Sequence, residues 1–291
     1  MMTLEELINR TLQTRGIGDL SNDLLQQVEQ KKVEEYNARA AKDTLTCNRT
    51  PHLFDSVYDC PICKNKGFVA FLDDGGQFSV RDCKCRKIRE SLMSAVKSGL
   101  GDLRTKRVNN FNAATPWQES MKKQTTEFIQ TFRSGTPSPS LKGFVALGQS
   151  GCGKTHLCAA VCNFFIESGK SVEYMSWLSG ADELKSLRVE STATYRERMA
   201  ELCNKPVLYI DDLFKSKTLQ GISERDVTLA FEILNHRLNV PGCITVISSE
   251  WLADDLKRID TAVAGRLLEI AGSYLLQIPK GDEYNYRIFS L

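Results

Sequence analysis

Long apolar runs are scarce in this chain of 291 residues, and the longest, such as "CITVI" and "YLLQI", have the length of strands. A helix that crosses a bilayer needs about 18 or more apolar residues, so no membrane span is expected. The opening "MMTLEELINR" has no basic segment followed by an apolar one; this argues against a secretory signal and makes the cytoplasm the expected compartment. A charge excess of one sign is missing too: 38 Lys and Arg against 36 Asp and Glu leave a net +2. Bulk charge therefore points neither toward nor away from nucleic acid, and any such surface would be local. Internal repeats and long low-complexity tracts are also absent, which sets aside a repeat architecture.

What remains is an ordinary globular composition, 42% hydrophobic and 25% charged, with length enough for a sizeable core in one large domain or two. The first forty residues read as helical. "TLEE" at Thr3–Glu6 has the pattern of a capping box, and "GIGD" at 16–19 ends that helix. A second helix follows in "SNDLLQQVEQKKVEEYNARAAKD", with Leu24, Leu25 and Val28 on one face and Tyr36 two turns on, a stripe suited to docking. "GFVAFLDDGGQFSV" reads as strand, turn, strand. The glycines and basic residues of "SGLGDLRTKR" (98–107) read as a connection, giving an N-terminal domain over 1–100, a linker over 101–114 and a second domain over 115–291. The second domain opens with Thr115 as helix cap, Pro116 at the first helical position and Gln118 completing a box. After it, "FVAL", "SVEYMSW", "VLYI", "ITVISS" and "YLLQIP" alternate with helices, the signature of an α/β fold with a parallel sheet flanked by helices.

"GQSGCGKT" (Gly148, Gln149, Ser150, Gly151, Cys152, Gly153, Lys154, Thr155) satisfies the phosphate-loop pattern G-x-x-x-x-G-K-[ST]. The strand "FVAL" precedes it, and a helix follows with Leu157, Ala160, Val161, Phe164 and Phe165 on one face and Gly169 at its end. Glycines let the backbone N–H groups surround phosphate, and the helix N-terminus adds positive potential. Lys154 would reach the β- and γ-phosphates of ATP and Thr155 would ligate Mg²⁺. "VLYIDD" supplies a strand ending in Asp211, placed to act on Mg²⁺ through water, with Asp212 placed to polarise the attacking water. A strand-end aspartate capping the next helix is the plainer alternative for Asp211.

Ten cysteines in a reduced compartment suggest metal or core roles rather than disulfides. Cys60-Pro-Ile-Cys63 and Cys83-Lys-Cys85 flank the expected hairpin. On a strand, residues i and i+2 project to one side, so both thiolates of the second pair can face one ion. Four thiolates suit a closed tetrahedral Zn²⁺ site in a zinc-ribbon-like module over about 52–90; unligated thiols are the alternative, and His52 is a possible substitute ligand. Cys158, Cys162, Cys203 and Cys243 read as small buried hydrophobes, and Cys47 has no assignment. Lys84, Arg86, Lys87 and Arg89 either meet phosphate or form a solvated helix start.

"DCPICKNKGFV…DCKCRK", "YIDDLF", "ERDVTLAFEILNHRLNVPGCITVISSEWLADDL" and "AVAGRLLE" together resemble the DnaC/DnaI class of bacterial and phage helicase loaders. The resemblance implies an AAA+ ATPase domain behind a small helical and zinc-bearing N-terminal domain that binds the helicase. It implies an ATPase, slow and stimulated by DNA or self-assembly, that delivers a hexameric DnaB-type replicative helicase to single-stranded DNA, with ATP, Mg²⁺ and Zn²⁺ as cofactors. It also implies that subunits associate through their ATP sites, Arg266 being the arginine finger that reaches a neighbour's γ-phosphate and Arg258 the fallback. One position departs from the pattern: the sensor segment, commonly Ser/Thr-Ser-Asn, reads Ser248-Ser249-Glu250 here. An ionised carboxylate cannot donate a hydrogen bond, so either Ser249 takes the sensor role or γ-phosphate sensing weakens; Glu250 is otherwise a helix cap. Phe111, in "RVNNFNAATP", is a candidate to stack on adenine. Competing readings are an IstB-type transposition helper, a P-loop small-molecule kinase, and a zinc-dependent binding module with a silent ATPase.

Overall fold

The computed structural model describes residues 22–39, 60–64, 66–135 and 141–286. The expected cap at Thr3, the break at 16–19, Cys47 and His52 lie outside the described residues. The chain divides into two compact units between Glu90 and Ser91.

The first unit holds helix α1 (Asn22–Ala38) and the strands β1 (Phe68–Leu72) and β2 (Phe78–Asp82). The strands pair antiparallel, Phe68 opposite Asp82 and Leu72 opposite Phe78. Their turn is built by Asp73, whose carboxylate accepts the N–H groups of Gly75 and Gln77. Helix α1 meets the hairpin near its C-terminal end. Leu24 and Val28 are exposed, while Val33 is buried; Tyr36 stands edge-on to Phe78, and the Asn37 amide exchanges two hydrogen bonds with the backbone of Ala70.

The division between the units falls within helix α2 (Cys85–Lys97). In the second unit follow α3 (Pro116–Arg133), β3 (Gly143–Leu147), α4 (Lys154–Glu167), β4 (Val172–Ser176), α5 (Trp177–Glu190), α6 (Thr192–Asn204), β5 (Val207–Asp211), α7 (Glu224–Asn239), β6 (Ile244–Ser249), α8 (Ala253–Ile259), α9 (Thr261–Ala271) and β7 (Leu275–Gln277). The sheet order is β4-β5-β6-β3-β7, and every pairing is parallel. Alternate residues of each strand serve opposite faces. Val145, Leu147, Leu208, Ile210 and Ile247 pack under α5, α6, α7 and α9. Phe144, Ala146, Val207, Tyr209 and Val246 pack under α3 and α4. Both faces are therefore dry, as a parallel sheet requires.

Local signals behave largely as read. Gln118 accepts the N–H groups of Ala114 and Thr115 at 2.7 and 2.9 Å, closing its half of the α3 box, whereas the Thr115 hydroxyl is buried without a partner. Gly169, at φ 80°, ends α4 with its N–H on Ile166. Residues 101–114, expected as a linker, are laid on the second unit: Gly101–Thr105 forms a 3-10 turn, Leu100 and Phe111 are buried, and the Asn163 amide donates to the carbonyls of Leu103 and Lys106.

Candidate nucleotide and metal sites

The parallel arrangement brings the carboxyl ends of β3, β5 and β6 together, where open α/β sheets hold ligands. The loop after β3 turns into α4 through Gly148, Gly151 and Gly153, all at positive φ. All three are required by space as well: a Cβ on Gly148 would lie 2.9 Å from the Ile278 carbonyl oxygen. A Cβ on Gly153 would lie 2.7 Å from the Phe111 ring, and one on Gly151 would collide with the Asn285 side chain. The Gln149 amide makes a reciprocal pair of hydrogen bonds with the backbone of Gly281, at 2.6 and 2.8 Å, and Tyr286 donates its N–H to the Gly151 carbonyl. Lys154 is buried, its ammonium on the Gln149 carbonyl at 2.7 Å.

Asp211 ends β5, and Thr155 Oγ1 lies 3.3 Å from it. That contact places the two candidate Mg²⁺ ligands side by side, a hydroxyl and a carboxylate, the hard oxygen donors this ion takes. Three further hydroxyls converge on the same carboxylate: Tyr174 at 3.0 Å, Tyr209 at 2.5 Å, and Ser248. Burial and the adjacent Asp211 charge push both phenols far above their usual range, so they remain donors. The sequence did not single them out. The signal exists only in register, since Tyr174 faces Tyr209 across the β4–β5 pair and Ser248 reaches over from β6.

Asp212 occupies the left-handed region at φ 56°. Asp tolerates this conformation better than longer side chains do. Burial, then the neighbouring Asp211, raises its carboxyl above the ordinary value. Lys215 Nζ lies 3.3 Å from Asp212 Oδ2 and in closer contact with Glu250 Oε1. Glu250 thus faces the cavity as half of an ion pair. It does not cap α8, whose first turn is served by Asp255 accepting the Leu252 N–H. Ser249 is buried, donates to the Leu213 carbonyl and accepts the Trp251 N–H; its hydroxyl is spent on structure.

A cavity of about 600 Å³ joins these elements, lined among others by Lys106, Asn112, Lys154, Asp212, Lys215 and Tyr286. Phe111 borders it but is buried, its edges taken by His156 and Tyr286 at 5.3 and 5.7 Å between centroids. It supports Gly153 rather than offering a free face for stacking. Burial lowers the pKa of His156, which keeps that ring neutral. Arg266, on α9, pairs with Glu269 at 3.1 Å, and Arg258 with Asp255 at 3.8 Å. Neither lines the cavity, and no arginine is among the described residues that do.

In the first unit Cys60, Cys63, Cys83 and Cys85 are all buried, their Sγ atoms within 4.8 Å of one another. The Cys60–Cys83 and Cys63–Cys85 separations are 3.7 and 3.4 Å. Zn–S bonds of about 2.3 Å imply edges of about 3.8 Å in a tetrahedron, so the cluster is compatible with a zinc site. The second pair does not sit on a strand as expected. Cys83 lies beyond β2, Cys85 begins α2, and a turn from the Cys83 carbonyl to the Arg86 N–H brings the thiols together. The hairpin does bring the two pairs to one place, through the Cys83 N–H on Gly67 O and the Gly67 N–H on Cys63 Sγ. Burial opposes ionisation of Cys60, but N–H groups of Cys63 and Ile62 outweigh it and hold the thiol at about 7. Arg86 is engaged within the unit by Asp82 and Glu90, which leaves it a poor candidate for phosphate.

Comparison with known proteins agrees with this geometry. The profile of the family described as IstB-like ATP binding protein matches residues 119–268, just over half of the chain. The phage-like element PBSX protein XkdC of Bacillus subtilis is 27% identical over 262 residues, covering 84% of this chain and 95% of that protein. The replicative helicase loader DnaC of Escherichia coli K12 is 22% identical over 179 residues, 62% of this chain and 69% of its own. The crystal structure of the DnaC helicase loader superposes with a TM-score of 0.51 at 22% identity, covering 61% of this chain and 98% of that one, a likeness of fold. With a phosphate loop, a five-stranded parallel sheet and that family match, the chain belongs to the IstB-like ATP-binding proteins and carries an AAA+ domain of the IstB/DnaC type.

Proposed function

We propose that this protein is an ATP-driven loader of a hexameric replicative helicase, placing it on single-stranded DNA. Lys154 holds the β- and γ-phosphates, Thr155 and Asp211 hold Mg²⁺, and Asp212 orients the attacking water. The observation that carries the reading is the cavity lined by Lys154, Thr155 and Asp212, with no arginine among its described lining residues. Phosphoryl transfer draws much of its rate from such a cation; in this reading a second subunit supplies it, and Arg266 is the group it lends. Hydrolysis then depends on assembly. The cysteine unit grips the helicase, and a Zn²⁺ bound by Cys60, Cys63, Cys83 and Cys85 closes that unit. Among the described residues no helix is long and apolar enough to cross a membrane, consistent with work in the cytoplasm.

A small-molecule kinase would carry arginines in its own lid, and none is among the described residues that line the cavity. A transposition helper is the second reading, favoured by the family's description; the cysteine cluster favours the loader. Affinity capture with the cognate DnaB-type helicase, with and without ATP, separates them. Retention of the helicase, altered by ATP, is the expected result. Undiminished ATP turnover with no retention in either state removes the loader reading.

A further inference from the structure

Position 250 poses a chemical problem. Lys154 reaches both the β- and γ-phosphates, so a cavity that distinguishes a triphosphate from a diphosphate needs a further donor at the terminal phosphate. Glu250, when ionised, has none to give, and the Ser249 hydroxyl is committed to the Leu213 carbonyl. The loop after β5 offers a donor from the other side. We propose that Lys215 is the group that recognises the terminal phosphate, with Glu250 as the positioning residue that holds it there.

The placement of Lys215 is fixed by backbone. Asp212 and Phe214 both take positive φ, 56° and 60°, a costly choice for a phenylalanine. The loop is held there by the end of β6 and the residues after it. Leu213 donates its N–H to Ser248 O at 2.8 Å, the Ser249 hydroxyl donates to Leu213 O at 2.8 Å, and the Trp251 indole donates to Phe214 O at 2.8 Å. The Phe214 ring is buried edge-on to Trp177. A turn from Asp212 O to the Lys215 N–H, 2.9 Å, then aims the side chain into the cavity that Lys154 and Thr155 also line. There its ammonium is shared between Asp212 and Glu250.

This arrangement has a consequence that depends on charge. Asp212 and Glu250 face the place where a terminal phosphate would sit, and Lys215 is the cation between them. An ammonium has three donors, so it can keep Glu250 and turn another donor to a phosphate oxygen. Without it, two carboxylates confront the phosphate with Lys154 as the remaining lysine of the lining near them. A diphosphate, which stops short of this end of the cavity, is indifferent to the change.

The inference rests on the ATP-binding reading of the cavity, and the test separates the two. Affinities for Mg·ADP and for a non-hydrolysable Mg·ATP analogue are measured on the full chain by calorimetry. Lys215→Ala should weaken the analogue at least tenfold, the scale of a charge-assisted hydrogen bond, and leave ADP affinity unchanged. Lys215→Arg should retain the preference. Adding Glu250→Asn to Lys215→Ala should recover part of it, because an amide then stands where the carboxylate was. Equal weakening of both nucleotides, or no change in either, overturns the role of Lys215 and leaves the ATP site standing. Failure of the wild-type protein to bind either nucleotide overturns both.

Discussion

The cysteine unit and the ATP-binding unit differ in what fills their interiors. Among the described residues, the first buries Val33, Ala70 and four cysteines as its apolar interior, and leaves Phe68, Phe78 and Val80 exposed. The second unit has two full clusters, one on each face of the sheet. No arginine is among the described residues that line its cavity. On the proposed function a metal completes one unit and a neighbour the other, so the first should be fragile in structure and the second in activity.

Metal removal is the sharpest way to break that comparison. Structural zinc contributes on the order of 10–16 kcal/mol to small domains of this kind. Elemental analysis should give one Zn²⁺ per chain, and chelation should abolish the ordered signals of the first unit while nucleotide affinity stays as it was. Collapse of nucleotide binding in parallel would show the two units to be one. Next in size is Arg266→Ala, which should lower assembly-stimulated hydrolysis by roughly a thousandfold or more, as loss of an arginine finger does. Nucleotide binding should persist; equal loss of binding rejects the role in trans. The smallest effect concerns Asp212→Glu. A longer arm moves the held water, and a shift on the order of 1 Å changes rates by about a hundredfold. We expect faster hydrolysis, together with a loss of roughly 1 kcal/mol in unfolding free energy from the left-handed backbone. A rate equal to or below that of the wild type would mean that reach is not what limits Asp212.

The elements that sequence made legible are those with short-range causes. The phosphate loop, the alternation of strands and helices and the four cysteines each depend on spacing within a few residues. What escaped depends on register between strands. Tyr174, Tyr209 and Ser248 come from three strands to one carboxylate, and no local pattern marks them. Lys215 was not singled out, because its meaning comes from its ion pair with Glu250, which follows a different strand. The expectation that Asp211 and Asp212 act differently stands as a proposal, and the backbone adds a reason for the second aspartate. At φ 56° the choice between Asp and Glu is partly conformational.

The loop that carries Asp212 to Lys215 also gives the molecule an optical property. The chain has three tryptophans. Trp177 touches the Phe214 ring, and the Trp251 indole holds the Phe214 carbonyl. Trp117 lies against Tyr284 and Tyr286, and Tyr286 lines the cavity. Each indole therefore touches a residue in the cavity's lining or next to one in sequence, and the protein carries its own fluorescent labels where an occupant would be felt.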